Sequence, residues 1–397
     1  MTQPQAEGAA SSTAEPVVRV RNVFKIFGKR PKEILRRIKA GEPRENLKDL
    51  GTAAVIDASF EVMPGEIFVV MGLSGSGKST LIRTLNALQP ATDGTVEVMG
   101  KDLGKLSKKQ LRELRSAHMS MVFQHFALLP HRTVLDNAAY GLEIKGQGKA
   151  EREKTARDVL ARVGLEGWDN NYPGELSGGM QQRVGLARAL ASGNDILLMD
   201  EAFSALDPLI RREMQHELVT LQKELGRTII FITHDLNEAM FLGDRIAVMK
   251  DGRIAQIGTP EDILAHPADD YVASFTADVD RGRVLTAESV MIPAQELSES
   301  EQREYSSARI ASVLPGATLQ EIVPIAVEAD GPVAVEGEQG GKKVRIGYVK
   351  VSQLLEAMAP HESITAAEHE PTLQTRPEPP ESAPVSDVTI AEEGGQR

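Results

Sequence analysis

The segment Gly72–Ser79 (GLSGSGKS) constrains the chain most, because it matches the pattern G-x-x-x-x-G-K-[ST]. It follows the apolar run Ile67–Met71 and precedes Leu81–Leu88, where helix formers recur at helical spacing. Glycines leave backbone N–H groups open to phosphate oxygens, and the N-terminus of the following helix stabilises anionic charge. We expect Lys78 to reach the β- and γ-phosphates of a nucleotide and the Ser79 hydroxyl to ligate Mg²⁺. The alternative is a glycine-rich turn that matches by chance, which the strand and helix context disfavours.

Other apolar segments indicate the fold class. Ile196–Met199 and Thr228–Ile232 are short apolar runs typical of buried strands. Between them, apolar residues at helical spacing over 210–225 predict a helix, and the same spacing over 156–163 predicts another. Strands that alternate with helices favour an α/β fold with a parallel sheet covered on both sides.

A pair of acidic residues follows the strand predicted over Ile196–Met199. The run ends in Asp200, whose carboxylate can hold Mg²⁺ directly or through water. Its neighbour Glu201 would then be placed to polarise the attacking water as a general base. An acidic pair at a strand end is more often a solvated turn, but the phosphate-binding loop upstream favours the catalytic interpretation.

The segment Leu176–Met180 (LSGGM), followed by QQRVGLARAL, resembles the signature motif of ABC ATPases. Ser177, Gly178 and Gly179 are expected to open a helix and so to form a second anion site. The resemblance implies that this site faces the γ-phosphate held by a second copy, in a head-to-tail dimer. Met180 departs from the usual glutamine. The alternative is an ordinary N-capped helix.

Further matches occur in the order that the family shows. Gln124 resembles the Q-loop glutamine, which contacts Mg²⁺ and water and links to the membrane subunit. Asp207, in SALD, resembles the D-loop aspartate that crosses to the partner copy, and His234, in ITHD, resembles the switch histidine that holds the γ-phosphate. Phe27 matches the aromatic residue that stacks on adenine, although as a single residue it could equally belong to the core.

The resemblance covers about residues 17–275 and implies a RecA-like P-loop core, an antiparallel β subdomain and a helical subdomain at about 104–180. Its implied ligands are ATP and Mg²⁺. Catalytic roles fall to Glu201, His234 and Gln124, and metal contacts to Ser79, Gln124 and Asp200. The implied nucleotide contacts are Phe27, Gly72, Leu73, Ser74, Gly75, Ser76, Gly77, Lys78, Ser79, Thr80, Ser177, Gly178, Gly179 and Asp207.

Composition is consistent with this resemblance. The chain has no cysteine, which excludes disulfides and thiolate sites, and a formal net charge of −12 argues against general binding to nucleic acid. No run approaches the ~20 apolar residues of a membrane span. We therefore expect a peripheral protein on the cytoplasmic face of the inner membrane, held there by an integral membrane permease and acting indirectly with a substrate-binding protein.

Two features narrow the type of transporter. The insertion 28–51 and the segment Phe123–Gly146 resemble the glycine betaine/proline osmoprotectant importer ATPases, which implies transport of a quaternary amine such as glycine betaine, proline betaine, choline or carnitine. Residues Ala317–Met358 resemble half of a cystathionine-β-synthase-type (CBS) regulatory module, predicted as a helix, short strands and a helix. The repeat before it is short and polar, so a degenerate dimerisation or packing domain is the alternative.

The predicted domain organisation has four parts: a disordered tail at 1–16, an ABC ATPase domain at 17–277, a partial CBS-like module at 278–360 and an acidic disordered tail at 361–397. Three other functions stay open. The chain could serve another importer, or it could be a non-transport ABC ATPase of the DNA repair or translation type, although it has a single motif set and no sustained heptads. A nucleotide sensor without turnover would not need Glu201.

Overall fold

The computed structural model describes residues 15–359, apart from residues 125, 278, 308–309, 330 and 340–341. The predicted acidic tail at 361–397, and all but two residues of the predicted tail at 1–16, lie outside the described residues. The strands are β1 (Val18–Gly28), β2 (Gly51–Val62), β3 (Ile67–Met71), β4 (Asp93–Val98), β5 (Lys101–Asp102), β6 (Met119–Val122), β7 (Ile196–Asp200), β8 (Thr228–Thr233), β9 (Arg245–Lys250), β10 (Arg253–Gly258), β11 (Ile292–Pro293), β12 (Ser312–Val313), β13 (Val333–Gln339) and β14 (Lys342–Val349).

Helices lie between most of these strands. They are α1 (Pro31–Lys39), α2 (Lys78–Leu85), α3 (Lys108–His118), α4 (Val134–Ile144), α5 (Lys149–Arg162), α6 (Gly178–Ala191), α7 (Pro208–Leu225), α8 (Leu236–Leu242), α9 (Pro260–Ala265), α10 (Asp270–Thr276), α11 (Arg281–Val284), α12 (Ala287–Val290), α13 (Glu299–Ser307), α14 (Leu319–Ala329) and α15 (Val351–Met358). Within the described residues, none of these helices combines the length and the apolar character needed to cross a membrane.

The large sheet has the order β10-β9-β3-β8-β7-β6, and its strands are parallel except for the antiparallel pair β9 and β10. Along β3, Val69 and Met71 join one apolar core with residues of α4 to α8, whereas Phe68 and Val70 join a second core with α2 and the antiparallel sheet. Successive side chains of a strand point to opposite faces, so β3 is buried on both. The predicted parallel sheet covered on both sides is confirmed.

A smaller antiparallel sheet, in the order β2-β1-β4-β5, carries the insertion 28–51 as the connection between β1 and β2. Gly28 pairs with Gly51 where the chain leaves and rejoins the hairpin. Within the insertion, Ile34 and Ile38 of α1 pack with Leu47 against the hairpin. The insertion therefore has an apolar core of its own and is docked on the sheet.

The boundary of α2 differs from the prediction. The sequence pattern placed a helix over Leu81–Leu88, but α2 begins at Lys78, inside the glycine-rich segment, and ends at Leu85. Ala87 has φ +52°, a left-handed conformation that cannot continue a right-handed helix. The strands β3 and β7, by contrast, lie where the apolar runs place them.

The region 104–180 contains α3, α4 and α5, but also β6, which belongs to the large sheet. Helices α4 and α5 share an apolar core with α6 through Ala138, Leu160 and Val184, all fully buried. The second half of the region is therefore a helical layer attached to α6, and it lies beside the sheet edge formed by β6.

The C-terminal part forms a third sheet, β11-β14-β13-β12, flanked by α14 and α15. The helix–strand–strand–helix order predicted for Ala317–Met358 is present; its assignment to the CBS class stays a prediction. Leu319, Val333 and Leu354 belong to the same buried apolar cluster as Val272 of α10, so this part packs directly on the preceding domain. Arg281 strengthens the junction by donating to the backbone oxygens of Ala357 and Leu264.

Candidate nucleotide-binding site

A cavity of about 460 Å³ lies at the carboxyl end of β3, between the glycine-rich segment and the β1–β2 hairpin. Ligands of open α/β sheets bind at this end of the strands. The cavity is lined by Arg44, Lys48, Gly51, Thr52, Ala53, Ala54, Ser74, Gly75, Gly77, Lys78, Ser79, Thr80 and Glu201. Most residues of the predicted phosphate loop therefore meet at one site, and Glu201 reaches it from β7.

Glycine is required at two positions of this loop. Gly72 has φ +150° and Gly77 has φ +106°, values that residues with a Cβ rarely adopt. A Cβ at Gly72 would lie 2.3 Å from the Met249 carbonyl oxygen, and one at Gly77 would lie 2.1 Å from that of Ala54. The backbone thus approaches β2 and β9 too closely for any side chain, which keeps the loop wrapped around an open concavity.

The ammonium of Lys78 lies inside the loop. Its Nζ donates to the carbonyl oxygens of Gly72, at 2.8 Å, and Leu73, at 3.1 Å, and only 4% of the side chain is exposed. Burial lowers the pKa of Lys78, while the nearby charges of Glu201 and Asp200 oppose that shift. A buried cation whose contacts are two neutral oxygens and one carboxylate at 3.9 Å, among the residues that the structure describes, is well placed to bind an entering anion.

Ser76 offers a second sign of an anion site. Its side chain is buried, and its hydroxyl has no hydrogen-bond partner among the described residues. A buried hydroxyl without a partner is costly unless a ligand or water satisfies it. A phosphate oxygen held by this loop would accept that hydrogen bond.

Asp200 and Glu201 stand at the end of β7 in different environments. Asp200 is buried, and Arg83 of α2 contacts its carboxylate at 3.2 Å. Glu201 has φ +48°, which is uncommon for a residue with a side chain and costs of order 1–3 kcal/mol. The strain is offset in part because its N–H donates to the Ile232 carbonyl at 3.1 Å. This backbone bend turns the Glu201 side chain toward the cavity.

The bend brings predicted catalytic residues together. The Glu201 carboxylate lies 3.9 Å from Lys78 Nζ and 3.3 Å from His234 Nδ1. Glu201 lines the cavity and is 19% exposed at its side chain, and His234, which contacts it, is 55% exposed, so solvent can reach the pair. A carboxylate, an imidazole and an ammonium around one opening can position water beside a phosphate group.

Signature residues Ser177, Gly178 and Gly179 do not line this cavity. Ser177 caps α6 by accepting from the Met180 N–H at 3.3 Å, and Ser177 and Gly178 are exposed, so this helix start faces solvent. A Cβ at Gly179 would lie 2.8 Å from Ile210 Cγ2, which explains the glycine by close packing on α7. Met180 packs partly against the apolar core, where a glutamine would bury a polar group.

The other predicted site residues outside the cavity lining are Gly72, Leu73, Ser76, Asp200, His234, Gln124, Asp207 and Phe27. The exposed Gln124 donates from Nε2 to Ser204 Oγ at 3.2 Å. This hydrogen bond joins the segment that follows β6 to the segment that follows β7. Asp207 caps α7 by accepting from two backbone N–H groups, so it has a local structural role. Phe27 is 39% exposed, and the Lys25 ammonium lies 5.0 Å from its ring centre.

Donor chemistry at the site fits Mg²⁺. This cation prefers oxygen ligands, keeps several waters and takes only one or two protein carboxylates, with substrate phosphates as the remaining ligands. Ser79 lines the cavity with a hydroxyl, and the buried Asp200 offers a carboxylate at the end of β7, next to Glu201. Over the described residues there is no cluster of three or more His, Asp or Glu side chains, so an all-protein metal cage is not available there.

Sequence reasoning missed Arg44, Lys48 and the hairpin residues Gly51–Ala54 in the cavity wall. The only available signal was the basic composition of the insertion 28–51. No local pattern shows that the insertion folds back toward the phosphate loop, since that depends on packing against β1 and β2.

Comparisons with known proteins identify the family. Residues 55–204 match the family described as ABC transporter. The chain is 57% identical over 280 residues to the glycine betaine transport ATP-binding protein OpuAA of Bacillus subtilis, covering 70% of this chain and 67% of that protein. It is 47% identical over 350 residues to the glycine betaine/proline betaine transport system ATP-binding protein ProV of Salmonella typhimurium, covering 88% and 84%.

The chain belongs to the ABC transporter ATP-binding proteins. The resemblance to this family is confirmed, and as a member the chain binds ATP and is an ATP hydrolase. A similar solved structure is a dimeric post-hydrolysis state of the ATP-binding cassette MJ0796 bound to ADP and Pi, with TM-score 0.53 and 33% identity, covering 61% of this chain and 98% of that one. The ABC ATPase fold is therefore confirmed for the core.

Proposed function

We propose that this chain is the ATP-hydrolysing subunit of an importer for a quaternary amine, with glycine betaine or proline betaine as the first candidates and choline or carnitine as others. The observation that carries the proposal is the 57% identity over 280 residues to a glycine betaine transport ATP-binding protein. Identity extends over 350 residues in a glycine betaine/proline betaine protein, and so into the C-terminal part of this chain.

The names of the similar proteins cover more than one methylated amine. The chain is also 48% identical over 340 residues to the trimethylamine N-oxide transport system ATP-binding protein TmoW of Ruegeria pomeroyi. Trimethylamine N-oxide and glycine betaine both carry a methylated nitrogen with a positive charge. Because the ATP-binding protein does not hold the cargo in the proposed system, the proposal is made for the chemical class.

The cavity residues support a mechanism for hydrolysis. The loop from Gly72 to Thr80 would hold the phosphates, with Lys78 exchanging its two carbonyl contacts for β- and γ-phosphate oxygens. Glu201 would accept a proton from the attacking water, and His234, 3.3 Å from that carboxylate, would hold the γ-phosphate oxygen as charge develops. Phe27, at the hairpin, would stack on adenine.

Mg²⁺ would be held by the Ser79 hydroxyl, by Asp200 directly or through water, and by Gln124. When bound, the cation neutralises phosphate charge during the transfer. To take this role Asp200 would loosen its contact with Arg83, which is 44% exposed and can remain paired or turn to solvent. Gln124 would leave Ser204 Oγ, a single neutral hydrogen bond of 3.2 Å.

A second copy would complete each site. The helix start at Ser177 and Gly178 is exposed, and because the first N–H groups of a helix have no partner within the helix, it suits an anion. In a head-to-tail dimer this surface would face the γ-phosphate bound by the other copy, and Asp207 would approach the same boundary. Hydrolysis would then require two chains for each pair of bound ATP molecules.

The helical layer of α4 and α5 is proposed to dock on an integral membrane permease, which would hold the chain at the cytoplasmic face of the inner membrane. A separate substrate-binding protein would deliver the amine. The C-terminal sheet with α14 and α15 is proposed as a partial CBS-like regulatory module at 278–360, attached to the ATPase domain at 17–277 through the shared core that includes Val272 and Leu319.

Uptake in the native host tests the proposal. Replacing the chromosomal gene by a Glu201→Gln version should abolish uptake of radiolabelled glycine betaine under high osmolarity, and a wild-type copy should restore it. An Asp195→Asn version is the matched control, because Asp195 precedes β7 and pairs with His118 outside the cavity. Normal uptake of every methylated amine in the Glu201→Gln strain would refute the transport proposal.

A further inference from the structure

The insertion 28–51 places positive charge in the wall of the nucleotide cavity. Arg44 begins a short 3₁₀ turn and Lys48 follows its last residue, and both line the cavity together with Lys78, Ser79 and Thr80. The only acidic residue in that lining is Glu201, so the described wall has three cations against one carboxylate. Such an excess favours a polyanion.

Packing fixes the position of these two cations. Leu47, which lies between them, is buried with Ile34 and Ile38 in the core that docks the insertion on the hairpin. At the hairpin end, Gly28 and Gly51 approach each other so closely that a Cβ on Gly51 would lie 2.1 Å from the Phe27 carbonyl oxygen. The insertion is therefore held against β1 and β2, next to the cavity.

The environments of the two side chains differ. Arg44 is 26% exposed and pairs with Asp251 at 2.6 Å and with Glu45 at 3.3 Å, contacts that orient its guanidinium while leaving further N–H donors. Lys48 is exposed, and no ion pair involving it is found over the part of the chain that the structure describes. Its ammonium can therefore move to a ligand without breaking an ion pair.

The location along the nucleotide follows from the two ends of the site. Lys78 and Glu201, 3.9 Å apart, mark the end that would hold the γ-phosphate. Phe27, which pairs with Thr52 across the hairpin, marks the end that would hold adenine. Arg44 and Lys48 share the cavity lining with both the hairpin residues and the phosphate loop, so the segment between the two ends, the α-phosphate and the ribose, is the part of the nucleotide they would contact.

We infer that Arg44 and Lys48 of the insertion bind the α-phosphate and ribose of the nucleotide and so raise the affinity for ATP and ADP alike. The inference rests on the proposed nucleotide site. It assigns to the insertion a part of the binding surface that the phosphate loop and the hairpin do not supply.

Calorimetric titration of the full chain with ADP and with a nonhydrolysable ATP analogue tests this inference. The Arg44→Gln/Lys48→Gln double variant should bind both nucleotides about three- to tenfold more weakly, by the same factor for each, because two partly exposed charged contacts are lost. Lys48→Gln alone should lose part of that affinity. This variant separates binding from folding, since Lys48 supports no ion pair in the described structure.

The control is Lys32→Gln/Arg36→Gln, which removes two exposed cations from α1 that do not line the cavity and should bind as wild type does. Wild-type affinity in the Arg44/Lys48 double variant would overturn the inference. A loss for the ATP analogue without a loss for ADP would also overturn it, because the cations would then contact the γ-phosphate. Lys78→Ala separates the two proposals: if it too binds normally, the nucleotide site itself is misplaced.

Discussion

Replacing Glu201 by glutamine tests the catalytic proposal most sharply, because it removes a charge and leaves the size of the side chain unchanged. The strained backbone at φ +48° is the same for either residue, so the fold should not respond. A general base of this kind contributes about 10²–10⁴ in rate. We expect kcat to fall by about that factor, equivalent to about 3–5 kcal/mol of activation free energy.

The affinity for ATP should not fall with kcat in the Glu201→Gln variant. The Glu201 carboxylate lies 3.9 Å from Lys78 Nζ, a separation worth about 4 kcal/mol of Coulomb attraction at an effective dielectric constant of ~20, before desolvation. In the variant, Lys78 no longer has this competitor to the phosphates, and the γ-phosphate no longer meets a carboxylate. ATP should therefore bind as tightly as in the wild type or more tightly.

The assay combines phosphate release with equilibrium binding on the same purified protein, and Asp195→Asn serves as the control for loss of a carboxylate next to β7. The variant should retain ATP and accumulate an ATP-bound dimer on gel filtration. Turnover within threefold of the wild type, with unchanged affinity, would refute the assignment of Glu201 as the base. Loss of both ATP binding and turnover would refute the claim that the Glu201 carboxylate competes with the phosphates for Lys78.

Three further predictions follow from individual contacts. Lys78→Ala should weaken ATP binding by more than tenfold, because a buried charge-assisted phosphate contact is lost; unchanged affinity in calorimetry would contradict the site. Gly77→Ala should nearly abolish binding, because its Cβ would lie 2.1 Å from the Ala54 oxygen; a variant that binds normally would show that the loop relaxes at little cost. Burial raises the pKa of Glu238, so its protonated form contributes stability below the unfolded pKa of 4.5 that is lost as pH rises through the folded value. Glu238→Gln should therefore raise the melting temperature at pH 8 but not at pH 4, and equal shifts at both would be contrary evidence.

Local patterns predicted the centre of the fold well. The strands β3 and β7 are continuous apolar runs bounded by polar or glycine residues, so length and composition were enough to locate them. The order of motifs along the chain assigned Lys78, Glu201 and His234 to one nucleotide site, and Glu201 lies 3.9 Å from Lys78 Nζ and 3.3 Å from His234 Nδ1.

Other features depend on long-range packing or on backbone strain. The turn of Glu201 toward the cavity rests on a positive φ, and no residue type in the run ILLMDE signals it. Arg44 enters the cavity wall because the insertion docks on the hairpin through Ile34, Ile38 and Leu47. These few apolar residues form no sequence pattern from which the docking could be predicted. Asp207 was predicted from a family role, whereas the single chain shows it as a helix cap.

The central claim is that each nucleotide is enclosed by the phosphate loop of one chain and the Ser177 helix start of another. The chain has no cysteine, so single cysteines can be introduced without background. In the Glu201→Gln background, Ser74→Cys chains mixed with Ser177→Cys chains should form a disulfide-linked dimer on mild oxidation when ATP is present, and not without it. The exposed Thr220→Cys, in place of Ser177→Cys, should give no such dimer. Absence of an ATP-dependent cross-link between Ser74→Cys and Ser177→Cys, in protein that still binds ATP, would contradict the claim.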